Sequence, residues 1–263
     1  MYVIGERING MFADMKQAIG DRDAKVVQAL ATRQMEAGAW ALDVNVGPTA
    51  KDAKGAMMWL VEAIREVSDA PLAIDTAKWD VMQAVVPQVH GDVLLNSSKA
   101  DPEAVTQYAG LAAEAGAMLI GLTLDADGVP GTVDKRVELG AQVLTLAMEA
   151  GLAPDRIFID PVILPTNVSP KTPVHCMEAI AQLKMFSDPP PHLLLGLSNV
   201  SQRCSNRELI NRTYLAMAMA KGLDSAIMDP TDKELMDTAI TAELLMEKMI
   251  YCDSYLEAAR QQR

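Results

Sequence analysis

Eight short apolar runs punctuate the chain at a near-regular interval, and no other feature constrains the fold as strongly. They are YVIGE at 2–6, WALDVNV at 40–46, PLAID at 71–75, DVLLN at 92–96, AMLIGLT at 117–123, RIFID at 156–160, HLLLGLS at 192–198 and DSAIMD at 224–229. Each holds a continuous apolar stretch rather than a strict alternation, the pattern of a strand buried on both faces of a parallel sheet. Between the runs lie segments with helical spacing. In DAKVVQALATRQMEAG, Val26, Val27, Leu30, Ala31 and Met35 recur at that spacing, with Asp23 placed to cap the helix and Gly38 to stop it. AGLAAEAGAMLIGLT and AMAMAKGLDSAIMD repeat the same order of alanine-rich helix, glycine and strand.

Such β-α alternation, at roughly 30 residues per unit, is the mark of βαβ architecture. Eight units in 263 residues predict an α/β fold of one domain over 1–263, a TIM (β/α)8 barrel. An open doubly wound sheet is the alternative, but no GxGxxG follows the first strand. No linker, low-complexity segment or charge block divides the chain. SDPPPH at 187–192 reads as a proline-stiffened entry to the seventh strand, and the final EAARQQR as a fraying helix end.

Composition narrows the function classes. With half its residues hydrophobic, a chain of this length buries a substantial core. A net charge of -12 argues against nucleic acid, whose phosphates demand a basic face. Cys176, Cys204 and Cys252 are scattered without CxxC spacing, which suggests reduced thiols. MYVIGERING has no basic lead-in, so no signal peptide is expected, and no apolar run approaches the ~20 residues of a membrane helix. The expectation is a cytoplasmic protein with no membrane partner.

In a barrel of this kind the active site lies at the C-terminal ends of the strands. The last residues of the eight runs are Glu6, Asp43 with Asn45, Asp75, Asn96, Thr123, Asp160, Asn199 and Asp229. Asp and Asn favour turns after strands, but polar residues at every end predict a mouth for a ligand rich in donors and acceptors. Carboxylates and amides without paired histidines or HExxH are a poor transition-metal site, so no metal of its own is expected. His90, His175 and His192 fall away from the predicted mouth, Cys204 has no histidine to activate it, and GxSxG is missing. What remains is a heterocycle with several N–H groups, whose donors buried carboxylates accept well.

The motifs IGERING, ALDVNVGP, LAIDT, LLNSS, LIGLT, IDPVILP, LGLSNVSQ, NRTYLAMAMAKGLDSAI and YCDSY, in order over the whole chain, resemble the pterin-binding methyltransferase family. The likeness is strongest to the methyltetrahydrofolate:corrinoid/iron-sulfur protein methyltransferases. It extends to the tetrahydrofolate methyltransferases of corrinoid demethylase systems and, further off, to the folate module of cobalamin-dependent methionine synthase. The resemblance implies tetrahydrofolate or 5-methyltetrahydrofolate as substrate, a cobalamin-type corrinoid carried by a partner protein, and a homodimer. By matching position, Asp75, Asn96 and Asp160 would hold the pterin's polar edge, and Asn199 would reach N5. Gly196, Ser198, Gln202 and Arg207 would line the same pocket.

An asparagine at N5 also makes chemical sense. The N5 methyl leaves a poor leaving group unless nitrogen gains positive charge. An amide bonds N5 more evenly than a carboxylate and strengthens as that charge develops, which is the differential binding that catalysis needs. Two rivals share the expectation of a pterin pocket. A dihydropteroate synthase would need basic groups at the late strand ends to expel pyrophosphate, where this chain has SAIMDPTD. A non-catalytic pterin-binding subunit that docks a corrinoid protein is the other. Arg203, Arg207 and Lys184 are the cations considered for the folate glutamate tail.

Overall fold

The structure, a computed structural model, describes residues 1–48 and 50–261. Eight parallel strands close into a barrel in sequence order, so each pairs with its neighbours in the chain and β1 seals against β8. They are β1 (Tyr2–Asn9), β2 (Ala41–Asn45), β3 (Leu72–Asp75), β4 (Val93–Lys99), β5 (Met118–Leu122), β6 (Ile157–Asp160), β7 (His192–Gly196) and β8 (Ser225–Met228). The crossovers carry α1 (Ala13–Asp21) and α2 (Ala24–Glu36), α3 (Ala53–Arg65), α4 (Trp79–Val85), α5 (Pro102–Ala115), α6 (Val133–Glu149), α7 (Thr172–Leu183) and α8 (Arg207–Met219). After β8 come α9 (Lys233–Leu245) and α10 (Tyr255–Gln261). The tail expected to fray is helical through Gln261, and its last two residues lie outside the described ones.

Local chemistry sets the boundaries. The Asp23 side chain accepts from the Lys25 N–H and starts α2 as its sequence implied. Gly116 stops α5 at φ 62, a left-handed conformation that costs glycine nothing. Three strands depart from expectation. β1 and β4 run three residues further than their apolar runs, each through an irregularity in register, at Gly5/Ile8 and Asn96/Ser98. β7 stops at Gly196, because Leu197–Ser201 winds into a 3-10 turn.

Strand alternation splits the core in two. Ile4, Ala41, Ala73, Leu94, Ile120, Phe158 and Leu194 point inward and are fully or almost fully buried, with Ile227 packed beside them. The residues between them pack outward against the helices. The N-terminal end of the barrel is plugged by rings. Phe158 stacks on His192 at 4.6 Å and on Trp40 at 6.2 Å, and Tyr2 meets Trp40 edge-on at 4.7 Å. Below the plug Asp224 accepts from Lys184 and from the Leu193 N–H, and pairs with His192 at 3.1 Å. These contacts hold its carboxyl below the usual range despite burial.

Candidate active site

The inward layer decides what reaches the mouth. Side chains two residues apart on a strand share a face. Two residues beyond each inward apolar residue stand Glu6, Asp43, Asp75, Asn96, Leu122, Asp160, Gly196 and Asp229. Seven of the eight strands therefore deliver a carboxylate, an amide or a glycine to the C-terminal opening. Thr123, read from the sequence as the fifth contribution, is displaced by this register. Leu122 takes the inward place, while Thr123 is fully buried and its hydroxyl has no partner among the described residues.

The polar groups bind one another in pairs. Asn96 Nδ2 donates to Asp43 Oδ1 at 2.8 Å, and Asn45 Nδ2 donates to Asp75 Oδ2 at 2.6 Å. Asp160 accepts from the Val162 N–H at 2.7 Å and, weakly, from the Gly196 N–H at 3.4 Å. Ser198 Oγ donates to Glu6 Oε1 at 2.8 Å. Among the described residues no lysine or arginine forms an ion pair with Glu6, Asp43, Asp75, Asp160 or Asp229.

Burial makes Glu6, Asp43, Asp75 and Asp160 reluctant to ionise. Asp160 is pushed up to about 6 by burial, with the Val162 and Gly196 N–H groups pulling the other way. Asp43 is raised well above its ordinary value by burial and then by the charge of Asp75, and burial also raises Asp75 and Glu6. A ligand presenting N–H donors here would relieve that penalty. Beside Asp75 and Asn96 the mouth opens into a cavity of about 350 Å³, bounded also by Trp79, Lys99, Tyr108 and Leu122.

The turn after Asp160 is held from beneath. Arg136 of α6, only 1% exposed, donates Nε to the Pro161 carbonyl at 2.9 Å and Nη1 to the Pro130 carbonyl. A guanidinium this deeply buried usually faces a carboxylate; here backbone oxygens take its hydrogen bonds. Val162 sits at φ 58, seldom adopted by a β-branched residue, and its N–H is the one donated to Asp160.

Asn199 is not at a strand end. It lies exposed within the 3-10 turn after β7 and reaches back over Gly196, where a Cβ would come 3.0 Å from its Nδ2. Two splints hold the turn. Ser198 is tied to Glu6, and Arg207 donates to Ser201 Oγ at 3.2 Å and to the Ser198 carbonyl at 3.3 Å. Gln202 is exposed, its N–H donating to the Asn199 carbonyl. The structure thus gathers Asp75, Asn96 and Asp160 on the inner wall and Gly196, Ser198, Asn199 and Arg207 along one rim, with Gln202 at its outer end.

One further sequence reading needs correction. Lys184, considered for the folate tail, sits at the opposite end of the barrel bound to Asp224 and the Pro191 carbonyl. Asp43 and Glu6, read from the sequence at the mouth but given no role toward the pterin, stand there as the partners of Asn96 and Ser198. Their inward parity is legible in the strands; their partners are not.

Comparison with known proteins adds to this geometry. A family model described as pterin binding enzyme matches residues 12–229. The methylcorrinoid:tetrahydrofolate methyltransferase of Eubacterium limosum is 30% identical over 263 residues, covering 99% of this chain and 97% of that protein. The methionine synthase of Mycobacterium leprae (strain TN) is 29% identical over 239 residues, which are 86% of this chain and 20% of that protein. A dihydropteroate synthase from Xanthomonas albilineans, solved with 7,8-dihydropteroate, superposes with a TM-score of 0.69 at 19% identity. That match covers 95% of this chain and 94% of that one. At that identity the superposition speaks for the barrel only. The family match and the end-to-end relative go further: the chain belongs to the pterin binding enzyme family.

Proposed function

We propose that the protein moves the N5 methyl group between 5-methyltetrahydrofolate and the cobalt of a corrinoid protein. The observation that carries this reading is the alignment, end to end, with a methylcorrinoid:tetrahydrofolate methyltransferase. The mouth supports it chemically. Asp75, Asn96 and Asp160 offer acceptors to the amino and ring N–H groups of a pterin, and acids destabilised by burial gain most from such donors. Asp43 holds the Asn96 amide by its Nδ2, leaving the amide oxygen free to turn toward the ring.

With the pterin so oriented, Asn199 addresses N5 from the β7 rim. As the N5–CH3 bond breaks, the electron pair of the partner's Co(I) forms the new bond to the methyl carbon, the broken bond's pair stays on nitrogen, and a proton taken up from water leaves N5 as a secondary amine. Asn199 stabilises the charge that develops on N5, Gly196 leaves its side chain room, and Ser198 and Arg207 fix the turn that carries it. The corrinoid belongs to the partner protein, and this chain's task is to hold the folate with N5 open to it. The reading carries a homodimer with it, and the apolar groove between α7 and α8, where Val174, Leu209 and Met217 stand exposed, is a surface that a second copy would cover.

The test is a single turnover with radiolabelled 5-methyltetrahydrofolate and free Co(I) cobalamin. Methyl appears on cobalt at a rate proportional to enzyme if the reading is right. A non-catalytic pterin-binding subunit would bind the folate and transfer nothing. A dihydropteroate synthase would instead form dihydropteroate from a pterin pyrophosphate, yet Asp229 and Thr231, bonded to each other, occupy the end of β8.

A further inference from the structure

The mouth is lined by carboxylates, yet the substrate proposed for it ends in carboxylates of its own. A folate carries one glutamate on its benzoyl arm and, in its extended forms, a γ-linked chain of them. Of the three cations considered for that chain, Lys184 is at the far end of the barrel and Arg207 splints the Asn199 turn, which leaves Arg203, exposed beside Gln202, as a single charge at that rim. Cations are gathered elsewhere on the same end of the molecule. A cleft of about 440 Å³ opens between α1 and the start of α3, with Lys16, Arg22 and Lys51 around it and buried Ile19, Val46 and Ala56 among its lining residues.

Three features make this more than a scatter of surface charge. None of the three cations has an ion-pair partner among the described residues, in a chain with 35 acidic residues against 23 Lys and Arg. The carboxylate in the cleft, Asp52, is engaged in capping α3, accepting from the Gly55 N–H at 2.9 Å. Arg22 is held in place: its backbone is left-handed at φ 56, Nη1 donates to the Gly55 carbonyl at 3.0 Å, and its guanidinium lies 5.1 Å from the Trp59 ring. The positive end of the 13-residue α3 adds to the same potential.

The cleft also lies where the tail would travel. Val46, in its lining, follows Asn45, whose amide holds Asp75; the Gly10 N–H binds the Asn45 carbonyl and joins the β1 and β2 loops. On a pterin the arm leaves from C6, next to N5, and so from the Asn199 side of the mouth rather than the Asp75 side. Ser198 and Glu6 bring that side against β1, and β1 leads into α1. A γ-linked glutamate carries two more backbone carbons than an α-linked residue and so advances further than the latter's about 3.5 Å, and a few added glutamates suffice to cross the β1–β2 rim.

We propose that the cleft of Lys16, Arg22 and Lys51 is the binding site for the oligo-γ-glutamate tail of the folate. The inference rests on the folate reading given above. Each exposed cation–carboxylate pair contributes a small factor, and three together make the pentaglutamate bind roughly 10-fold more tightly than the monoglutamate. Screening erodes that ratio as salt rises from about 0.05 to 0.5 M.

The experiment measures dissociation constants of 5-methyltetrahydropteroyl mono- and pentaglutamate for the full-length protein and its variants. The ratio is expected to fall toward 1 in Lys16→Gln/Arg22→Gln/Lys51→Gln. The pair Lys16→Gln/Lys51→Gln, which leaves the packing of Arg22 on Trp59 intact, should lose most of it. Lys221→Gln/Lys248→Gln alters net charge away from the cleft and should keep it. A ratio near 1 in the unaltered protein, a ratio kept by the cleft variants, or an equal loss in the remote pair would each overturn the assignment. If monoglutamate binds but tail length has no effect, only the cleft is wrong. If neither folate binds, the methyltransferase reading falls with it.

Discussion

Replacing Asp160 by asparagine should make the protein more stable near neutral pH and a weaker binder of folate. Asp160 is 8% exposed and carries no cation partner among the described residues, so its carboxyl titrates at about 6 when folded against an ordinary 3.8. A raised carboxyl pKa means the folded state holds its proton longer than the unfolded chain. Its contribution is therefore neutral below about pH 4 and turns unfavourable as pH rises from 3.8 through 6. Fully developed, the penalty is about 3 kcal/mol. The amide in Asp160→Asn would escape it and keep the acceptor for Val162, while losing the long contact to Gly196 and costing up to about 1 kcal/mol. The expected net gain is about 2 kcal/mol at about pH 8, disappearing by about pH 4. Urea unfolding of Asp160→Asn and the unaltered protein, without ligand and at several pH values, measures the difference. A variant destabilised to the same extent at every pH would refute the argument, since Asp160 would then be contributing packing rather than a stored electrostatic cost. Folate affinity measured alongside should drop, because the amide offers the pterin one acceptor where the carboxylate offered two.

Asn199→Ala is expected to slow methyl transfer by on the order of 10²–10³ while changing folate affinity little, as rapid mixing beside a binding titration would show. A normal single-turnover rate in the folded variant would exclude the amide from the chemistry. Gly196→Ala should reproduce much of that defect. Gly196 has φ -71, which alanine tolerates, so the new methyl acts only by crowding Asn199 Nδ2 from 3.0 Å. Unimpaired turnover there would mean that Asn199 need not lie over the strand. Asp75→Ala should weaken folate binding by about 1–3 kcal/mol, through lost acceptors for the pterin and for Asn45. Equilibrium titration with unchanged affinity would remove Asp75 from the pterin edge.

The chain's own pattern determined the barrel. Apolar runs too continuous for a half-exposed strand, spaced by helices, leave little choice but parallel strands covered on both sides. The period of two then decides which strand residues face inward, so the placing of Asp43, Asp75, Asn96, Asp160 and Asp229 at one opening follows from short-range rules alone. What lies beyond the strands depends on contacts distant in sequence. β7 ends at Gly196 because Leu197–Ser201 is held as a turn by Glu6 and Arg207, one of them 192 residues from Ser198. Thr123 yields its place to Leu122 because the polar end of the fifth run lies one residue past the inward register. Lys184 has no role at the mouth because its partner Asp224, 40 residues away in sequence, holds it at the other end of the barrel. The pairing of Asn96 with Asp43 and the burial that lifts Asp160 toward neutrality likewise exist only once the barrel has closed. Sequence periodicity fixes directions along a strand; only the closed fold removes water from the carboxylates and so gives them their chemistry.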